Sequence, residues 1–242
     1  LGGGAYDSLT APTGLGSGGG GVSDGGAGGG AVRLTVGGLL TLDGQVSANG
    51  NAAPGAPGGG GAGGSVFITA GSLGGAGSVS ANGGAKGGYT EPGGGAGGRI
   101  AIHFGSSTFA GTLTASGGAG RTHGGAGTIF TKLVAHATGD LRIESAGTPG
   151  AWTPLLAAAS FDEVVVTRGG RLELSGDARL TAATVTIGSA GTINLQNAAT
   201  MGDLLIESGG TLGHHAGQPG FDLAVAGDLT LQSGGSILAD AC

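Results

Sequence analysis

Two adjacent histidines near the carboxyl-terminal end are the first candidates for chemistry, because imidazole nitrogens bind zinc and other transition metals. His214 and His215 lie between Gly213 and Gly217, and Asp222 follows them. Neighbouring residues on a strand point to opposite faces, so this pair could share an ion only within a loop. We assign no metal site on this pattern, and keep His214, His215 and Asp222 only as candidates. Loop histidines that bind nothing are the alternative.

Carboxylates that could act as acid and base are scattered along the chain. Polysaccharide-degrading enzymes need two such groups close together. Glu144 and Glu207 occupy the same position of a repeated motif, but Thr167, Gly188 and Gln232 hold that position in the other copies. Phosphate-binding glycine motifs match by chance in a chain with 63 glycines. The pattern therefore predicts no catalytic residue and no cofactor.

The single tryptophan, Trp152, has two interpretations. Its indole could fill a gap in the fold, or it could form a platform on which a sugar ring stacks. In the second case the loops around Tyr89, Trp152 and His214 would form a glycan-binding surface. The single cysteine, Cys242, has no partner in the chain for a disulfide.

Composition excludes several classes of protein. Glycine supplies 63 of 242 positions, but no Gly-X-Y register runs through the chain and only 7 residues are proline, so collagen is excluded. The formal net charge is −6, which disfavours binding to nucleic acid. The longest apolar run, Pro154–Ala159, is far shorter than the roughly 20 residues of a membrane-spanning helix. We expect no membrane-spanning segment.

The elements that must position these residues recur at a fixed period. Val32, Val66, Ile100 and Ile129 each open a short alternating segment after a glycine run, at intervals of 34, 34 and 29 residues. Alternation predicts strands with one apolar face. A Gly or Ser turn follows, and then a second strand: Leu40–Val46, Gly75–Val79 and Ala110–Leu113. Each second strand ends in a similar four-residue turn motif, which we call the turn tag: Ser47–Gly50, Ser80–Gly83 and Thr114–Gly117. Such a period indicates stacked repeats.

The glycine runs have two interpretations. They could be flexible linkers, or they could form extended left-handed helices of three residues per turn that pack closely because they lack Cβ atoms. We favour the second, since the runs recur at matching positions. The glycines expected to be structural are Gly59, Gly60, Gly61, Gly63, Gly64, Gly93, Gly94, Gly95, Gly97 and Gly98.

A second, shorter repeat fills the remainder of the chain. Its copies begin at intervals of 23, 21, 19 and 25 residues, at Leu141, Val164, Val185, Leu204 and Leu229. The first and third positions of each copy are apolar, and the sixth and seventh are small. A repeat of this length with two or three short strands is typical of a β-helix, in which inward aliphatic side chains form ladders.

These patterns predict four segments. Residues 1–30 form a glycine-rich lead-in, in which Tyr6 and the turn Thr10–Pro12 cover the first repeat. Residues 31–127 hold the long repeats, residues 128–163 form a transitional repeat with the Trp152 loop, and residues 164–242 hold the short repeats.

Two strings carry a resemblance to known proteins. GDLLIESGGTL at Gly202–Leu212 and GDLTLQSGGSI at Gly227–Ile237 resemble the coils of filamentous-haemagglutinin-like proteins and autotransporter passengers, which are bacterial exoproteins. Residues Gly25–Lys132 resemble glycine-rich repeats of large bacterial surface proteins. The resemblance implies an all-β, single-stranded, right-handed parallel β-helix located outside the cell or on its surface.

The function implied by this resemblance is structural: a stalk, an adhesin segment or a filament subunit. The last predicted strand, Ser236–Ala239, ends in no charged or helical cap. We expect its edge to continue into further coils or to pair head to tail with another copy. Lateral association of copies is the other form of self-association expected. The alternatives are the glycan-binding module and, on the same fold, a polysaccharide-degrading enzyme.

Overall fold

The computed structural model describes residues 7–21, 24–55, 57–88, 92–196, 198–215, 217–218 and 220–240. Within these ranges the chain consists of β-strands, turns and irregular segments without a helix, so no described helix could cross a membrane. The strands form parallel sheets, which confirms the predicted all-β class. Tyr6, Tyr89 and Cys242 lie outside the described residues.

The chain divides into two compact units, Leu1–Ala137 and Thr138–Cys242. The division falls inside residues 128–163, the segment predicted to be transitional. Each unit is described separately below.

The described residues of the first unit form seven strands, arranged in two sets of parallel strands. One sheet has the order β1-β3-β5-β7 and the other has the order β2-β4-β6, so successive strands of a sheet come from successive repeats. The strands are β1 (Ala31–Thr41), β2 (Gln45–Ser47), β3 (Ser65–Gly74), β4 (Ser78–Ser80), β5 (Arg99–Ser107), β6 (Thr112–Thr114) and β7 (Thr128–Leu133).

The register of the larger sheet is the one that the 34-residue interval predicts. Val32 pairs with Val66, Val66 with Ile100, and Ile100 with Ile129. Val66 and Ile100 are fully buried, because every second residue of these strands faces the core of the unit. The interval between repeats therefore places chemically equivalent side chains directly above one another.

Strand boundaries differ from the prediction in the first repeat. The expected turn at Gly37–Gly38 is a shift of register inside β1, between Val36 and Leu39, and the strand continues to Thr41. Two glycines allow this irregularity without ending the strand. The second strand therefore begins at Gln45 rather than at Leu40.

The glycine runs form a regular hydrogen-bonded array. In the segment Gly58–Gly64, residues three apart donate backbone N–H groups to the same neighbouring segment, and successive residues address different neighbours. The bonds are Gly60→Gly93 and Gly63→Ala96, Gly61→Asn51 and Gly64→Ala48, and Gly59→Gly20 and Ala62→Ser17, with N···O distances of 2.7–3.1 Å. A segment that bonds to three neighbours with a repeat of three residues is ordered along its whole length.

Side-chain amides connect the turn tags of successive repeats. The Asn82 N–H donates to Asn49 Oδ1 at 2.6 Å, and the Ser116 N–H donates to Asn82 Oδ1 at 2.8 Å. The Asn82 amide nitrogen also donates to Thr114 Oγ1 at 3.1 Å. The tags therefore stack through a ladder of polar groups where the chain leaves the second sheet.

In the part of the second unit that the structure describes there are eleven strands. One parallel sheet has the order β8-β10-β12-β14, with β16 and β17 both pairing with β14, and the other has the order β9-β11-β13-β15-β18. The strands are β8 (Asp140–Glu144), β9 (Thr153–Leu155), β10 (Ala159–Thr167), β11 (Arg171–Leu174), β12 (Leu180–Ile187), β13 (Thr192–Leu195), β14 (Ala199–Ile206), β15 (Thr211–His214), β16 (Leu223–Val225), β17 (Leu229–Leu231) and β18 (Ser236–Ile237).

The five aliphatic residues that open the short repeats form one column. Hydrogen-bonded register joins them in the order Leu141, Val164, Val185, Leu204 and Leu229. The first four are at most 1% exposed. The sixth position of the motif turns the chain: Gly169, Ala190, Gly209 and Gly234 have φ between 57° and 86°. Small residues recur there because that left-handed conformation is strained for larger ones.

The segment around Trp152 is more regular than expected. Thr153–Leu155, predicted as part of a loop, is strand β9 and pairs with β11 through Thr153–Leu172 and Leu155–Leu174. The central proline conceals this strand in the sequence, but a proline is tolerated in an edge strand.

Candidate assembly surface

The two adjacent histidines diverge to different surroundings. His214 is buried and stands above Leu195 in an otherwise aliphatic column. Its Nδ1 lies 3.0 Å from the carbonyl oxygen of His215, and its Nε2 lies 3.0 Å from that of Asp240. His215 Nε2 lies 3.4 Å from Glu173 Oε1. Both ring nitrogens of His214 thus contact backbone oxygen and do not face a common centre with His215.

The structure does not gather the proposed ligands into a metal site. Asp222 is exposed, and its backbone carbonyl accepts a hydrogen bond from the Ala199 N–H at 3.2 Å. Over the described ranges, no group of three or more histidine, cysteine or acidic side chains has an arrangement that could hold a metal ion. His214 is better explained as a polar closure of the Leu155–Leu174–Leu195 column.

Trp152 carries a cation on one face of its ring. The guanidinium carbon of Arg171 lies 3.8 Å from the ring centroid, and Arg171 also donates to the carbonyl of Gly150 at 3.1 Å. Burial lowers the pKa of Arg171, and the charge of Glu173 opposes this. Because Arg171 covers one face of the indole, only the other face is left for a sugar to stack against.

Most of the glycines singled out in the sequence leave no room for a side chain. A Cβ atom would lie 1.9–2.1 Å from a backbone oxygen at eight positions: Gly60, Gly61, Gly63, Gly64, Gly94, Gly95, Gly97 and Gly98. The nearest atom would be 3.0 Å away at Gly59 and 3.5 Å away at Gly93. Positions within one glycine run therefore differ in whether they can accept a larger side chain, and the sequence alone does not distinguish them.

The lead-in segment is joined to β3 through a turn that the carboxylate of Asp7 holds together, and the sequence pattern did not single out this residue. Asp7 accepts hydrogen bonds from the N–H groups of Ser8, Thr13 and Gly14 at 2.6–2.8 Å. Ser65 Oγ, at the start of β3, donates to the carbonyl of Gly14 at 2.7 Å. The available signal in the sequence was Asp7 followed by Ser8, Thr10 and Pro12, since Asp, Ser and Thr side chains bond to nearby backbone groups in turns.

Asp7 titrates below the ordinary range of aspartate. Burial acts to raise its pKa, but the hydrogen bonds from Gly14, Ser8 and Thr13 and the charge of Arg99 outweigh burial and lower it. A lowered carboxylate pKa stabilises the folded segment at neutral pH. That contribution is lost as the pH falls through the lowered value, at the acidic side of the ordinary value of about 3.9.

We expect Asp7→Ala to release residues 8–14 at neutral pH. Hydrogen bonds to a charged acceptor contribute about 1.5 kcal/mol or more, so amide exchange at Thr13 and Gly14 should accelerate at least about tenfold. Asp177→Ala, at an exposed position of the second unit, is the matched control. Unchanged exchange at Thr13 and Gly14 in Asp7→Ala would show that Asp7 does not fasten the segment.

A histidine of β5 lies between two aromatic rings on the outer face of the larger sheet. His103 contacts Phe67 and Phe130 edge to face, with centroid distances of 5.2 and 5.8 Å. Burial lowers the pKa of His103, the charge of Lys132 lowers it further, and a backbone hydrogen bond with Thr10 opposes both. The hydrogen bond with Thr10 links His103 to the lead-in segment.

Some strands at sheet edges expose aliphatic side chains. Leu229 and Leu231 of β17 are 46% and 47% exposed, and Ile237 and Leu238 at β18 are also exposed. In the first unit, Val32 and Leu34 of β1 are only half-buried. These residues continue the aliphatic columns but are not covered on one side. We call β1 the head edge and β17 the tail edge.

No protein-family model, curated protein or solved structure matches the chain.

Proposed function

We propose that this chain is a structural segment of an extracellular bacterial surface protein and acts as a stalk, an adhesin segment or a filament subunit. In this proposal each unit is a right-handed parallel β-helix, with one coil per repeat. The glycine runs of the first unit are polyglycine II helices that pack along one flank.

The uninterrupted register of the inward columns carries the proposal. Val66 and Ile100 in the first unit, and Val164, Val185 and Leu204 in the second, each stack directly on the equivalent residue of the next repeat. Such a column gives stability through nearest neighbours and can be lengthened without changing its design. That property suits a spacer or fibre.

Two general rules support the finer features. Parallel strands of one sheet that are joined by a crossover follow a right-handed path in about 98% of cases, which favours the right-handed coil. The hydrogen bonds from Gly58–Gly64 repeat every three residues and go to neighbouring segments. That pattern is the one expected of helices with three residues per turn and no internal hydrogen bonds.

The side chains that could carry other functions have structural partners. His214 contacts two backbone carbonyls, and Trp152 is stacked with Arg171. These contacts favour a structural role over a glycan-binding or catalytic one.

Surface labelling tests the proposal. Antibodies raised against the 242-residue chain should label intact cells of the source bacterium, and protease added outside the cells should remove the label. An in-frame deletion of these residues should shorten or abolish the labelled surface structure. Labelling that requires permeabilised cells would contradict an extracellular role.

A further inference from the structure

We propose that the glycine-rich flank of the first unit holds a binding site for an extended peptide with glycine at every third residue. The site is the groove between residues 58–64 and residues 92–98, which we call the second groove. Its ligand is a segment of another polypeptide with the pattern Gly-X-X. The inference goes beyond the proposed structural role, because it uses the packing of the glycine runs and is independent of where the protein is located.

The preceding groove is already filled by a segment of this kind. Residues 14–21 lie between residues 24–30 and residues 58–64, in what we call the first groove. The backbone hydrogen bonds that hold them are Gly16→Gly29 and Gly19→Gly26 at 2.8 Å, Gly59→Gly20 at 2.9 Å and Ala62→Ser17 at 2.8 Å. With a repeat of three residues, the segment thus donates an N–H group to one wall and accepts an N–H group from the other.

The second groove has walls equivalent to those of the first, because both follow the interval between repeats. The hydrogen bonds that join the walls of the first groove are Gly26→Gly59 and Gly29→Ala62. The bonds that join the walls of the second groove lie 34 residues later, and are Gly60→Gly93 and Gly63→Ala96. The second groove therefore presents the same backbone groups in the same order.

The groups that would hold a ligand in the second groove are unpaired. By the same interval, they are the carbonyls of Gly60 and Gly63 and the N–H groups of Gly93 and Ala96. Among the described residues, none of these four groups makes a hydrogen bond. Gly60 and Gly63 are buried, and a buried carbonyl without a partner costs free energy. A ligand that donates to these two carbonyls would remove that cost.

The donor residues of the second groove are also more exposed than those of the first. Gly59 and Ala62, next to residues 14–21, are buried and half-buried, whereas Gly93 and Ala96 are half-buried and exposed. A further repeat of the same fold would stack on the head edge β1, and it would not enter a groove between two existing repeats. The glycine runs among the described residues already bond to their own neighbours. Neither source supplies the occupant, so we assign it to another polypeptide.

The filled groove shows which residues of the ligand must be glycine. A Cβ atom at Gly16 would lie 2.2 Å from the carbonyl oxygen of Ala62, and one at Gly19 would lie 1.9 Å from that of Gly59. At Gly18 the nearest atom would be 3.7 Å away, and at Gly20 no atom lies within 4 Å.

Glycine is therefore required at the residues that donate to the wall and is replaceable at the two that follow each of them. Proline suits these other positions, because it favours the threefold extended conformation and its missing N–H is not needed there. The site thus fits a single chain with the Gly-X-X pattern of collagen-type sequences.

Nuclear magnetic resonance titration of the isotope-labelled chain with a peptide of about four Gly-Pro-Ser repeats tests the proposal. The amide signals of Gly93 and Ala96 should shift, because their N–H groups gain carbonyl partners. The signals of Gly59 and Ala62 should not shift, since their N–H groups are already bonded to residues 14–21. A control peptide with alanine in place of every glycine should leave all four signals unchanged, because its Cβ atoms would collide with the wall.

Proline substitutions remove a donor of the groove without breaking a bond of the fold. Ala96→Pro takes away an N–H group that has no partner among the described residues, and should weaken binding of the Gly-Pro-Ser peptide at least about fivefold, the effect of one lost hydrogen bond. Ala27→Pro is the matched control, because Ala27 is exposed, its N–H is likewise unpaired within the described ranges, and it lies outside the second groove. It should leave binding unchanged, and both variants should keep the circular dichroism spectrum of the unaltered chain.

The proposal is overturned if millimolar Gly-Pro-Ser peptide shifts neither Gly93 nor Ala96, or if the alanine peptide shifts them equally. Shifts confined to Gly59 and Ala62 would mean that the peptide displaces residues 14–21 from the first groove, which would also contradict it. Slow amide exchange at Gly93 and Ala96 in the free chain would show that another part of the same chain already fills the second groove, and would exclude a separate polypeptide as the occupant. None of these results bears on the surface-labelling test of the structural role.

Discussion

Gly95→Ala is expected to unfold the glycine-rich part of the first unit. Gly95 is buried, and a Cβ atom there would lie 2.0 Å from the carbonyl oxygen of Gly61. The obstacle is backbone, and it is itself held because Gly61 accepts a hydrogen bond from Gly84. The clash cannot be relieved by rotating a side chain, so we expect a loss of about 3 kcal/mol or more, at or above the upper end for overpacked sites.

Gly93→Ala is the matched control for this substitution. Gly93 lies two residues earlier in the same run, but its Cβ atom would be 3.5 Å from the nearest atom, the carbonyl oxygen of Thr122. That distance is an ordinary contact, so the free energy of unfolding should change by no more than about 0.5 kcal/mol. Urea denaturation of both variants measures the difference. Equal stability of the two would mean that the glycine segments are not packed against one another.

Leu204→Asp is expected to abolish folding of the second unit. Leu204 lies in the middle of the inward column, between Val185 and Leu229, and is 1% exposed. Truncation of a buried leucine to alanine already costs about 3 kcal/mol. A carboxylate at this position would add the cost of burying an unpaired charge, and the total approaches the whole stability of a typical domain.

Leu205→Asp tests whether the face of the strand decides this effect. Leu205 is the next residue of β14, it pairs with Thr186 and Thr230, and it is half-buried on the outward face. Its replacement should cost no more than about 1 kcal/mol. Thermal unfolding followed by circular dichroism compares the two variants. A larger loss in Leu205→Asp than in Leu204→Asp would reverse the assignment of faces.

The stacking of repeats could be predicted from the sequence because it depends on spacing. The intervals between Val32, Val66 and Ile100, and the motif that begins at Val164 and Val185, place these residues in the observed columns. Regular spacing survives in a single sequence because every repeat needs the same inward side chains. The all-β class and parallel pairing follow from the same periodicity.

Other features depend on contacts between distant residues and could not be predicted in this way. Asp7 accepts a hydrogen bond from the Gly14 N–H within its own turn. The turn is attached to β3 because the Ser65 hydroxyl donates to the carbonyl of the same Gly14, and this contact joins residues far apart in the sequence. The stacking of Arg171 on Trp152 joins side chains of two different repeats. His214 was the strongest candidate for a metal ligand, but it is buried above Leu195. Its surroundings are determined by its place in the column that contains Leu195, and not by the neighbouring His215.

The glycines also differ in how much room they leave for a side chain, and the sequence could not predict this difference. Gly93 and Gly95 are identical in type and belong to one run, yet only Gly95 faces a neighbouring backbone closely. A threefold segment directs successive residues to different neighbours. Which residue faces which neighbour depends on how the segments are placed in space, and no single-sequence pattern specifies that placement.

Disulfide trapping tests the central claim, the in-register stacking of repeats, most directly. Thr186 and Leu205 are direct partners on the outward face of β12 and β14, and neighbouring strands lie about 4.8 Å apart, within the range that a disulfide spans. In a chain whose Cys242 is replaced by serine, Thr186→Cys with Leu205→Cys should form a disulfide on mild oxidation. Val165→Cys with Leu205→Cys, which lie two repeats apart, should remain reduced. Efficient trapping of the second pair and not of the first would contradict the stacked register.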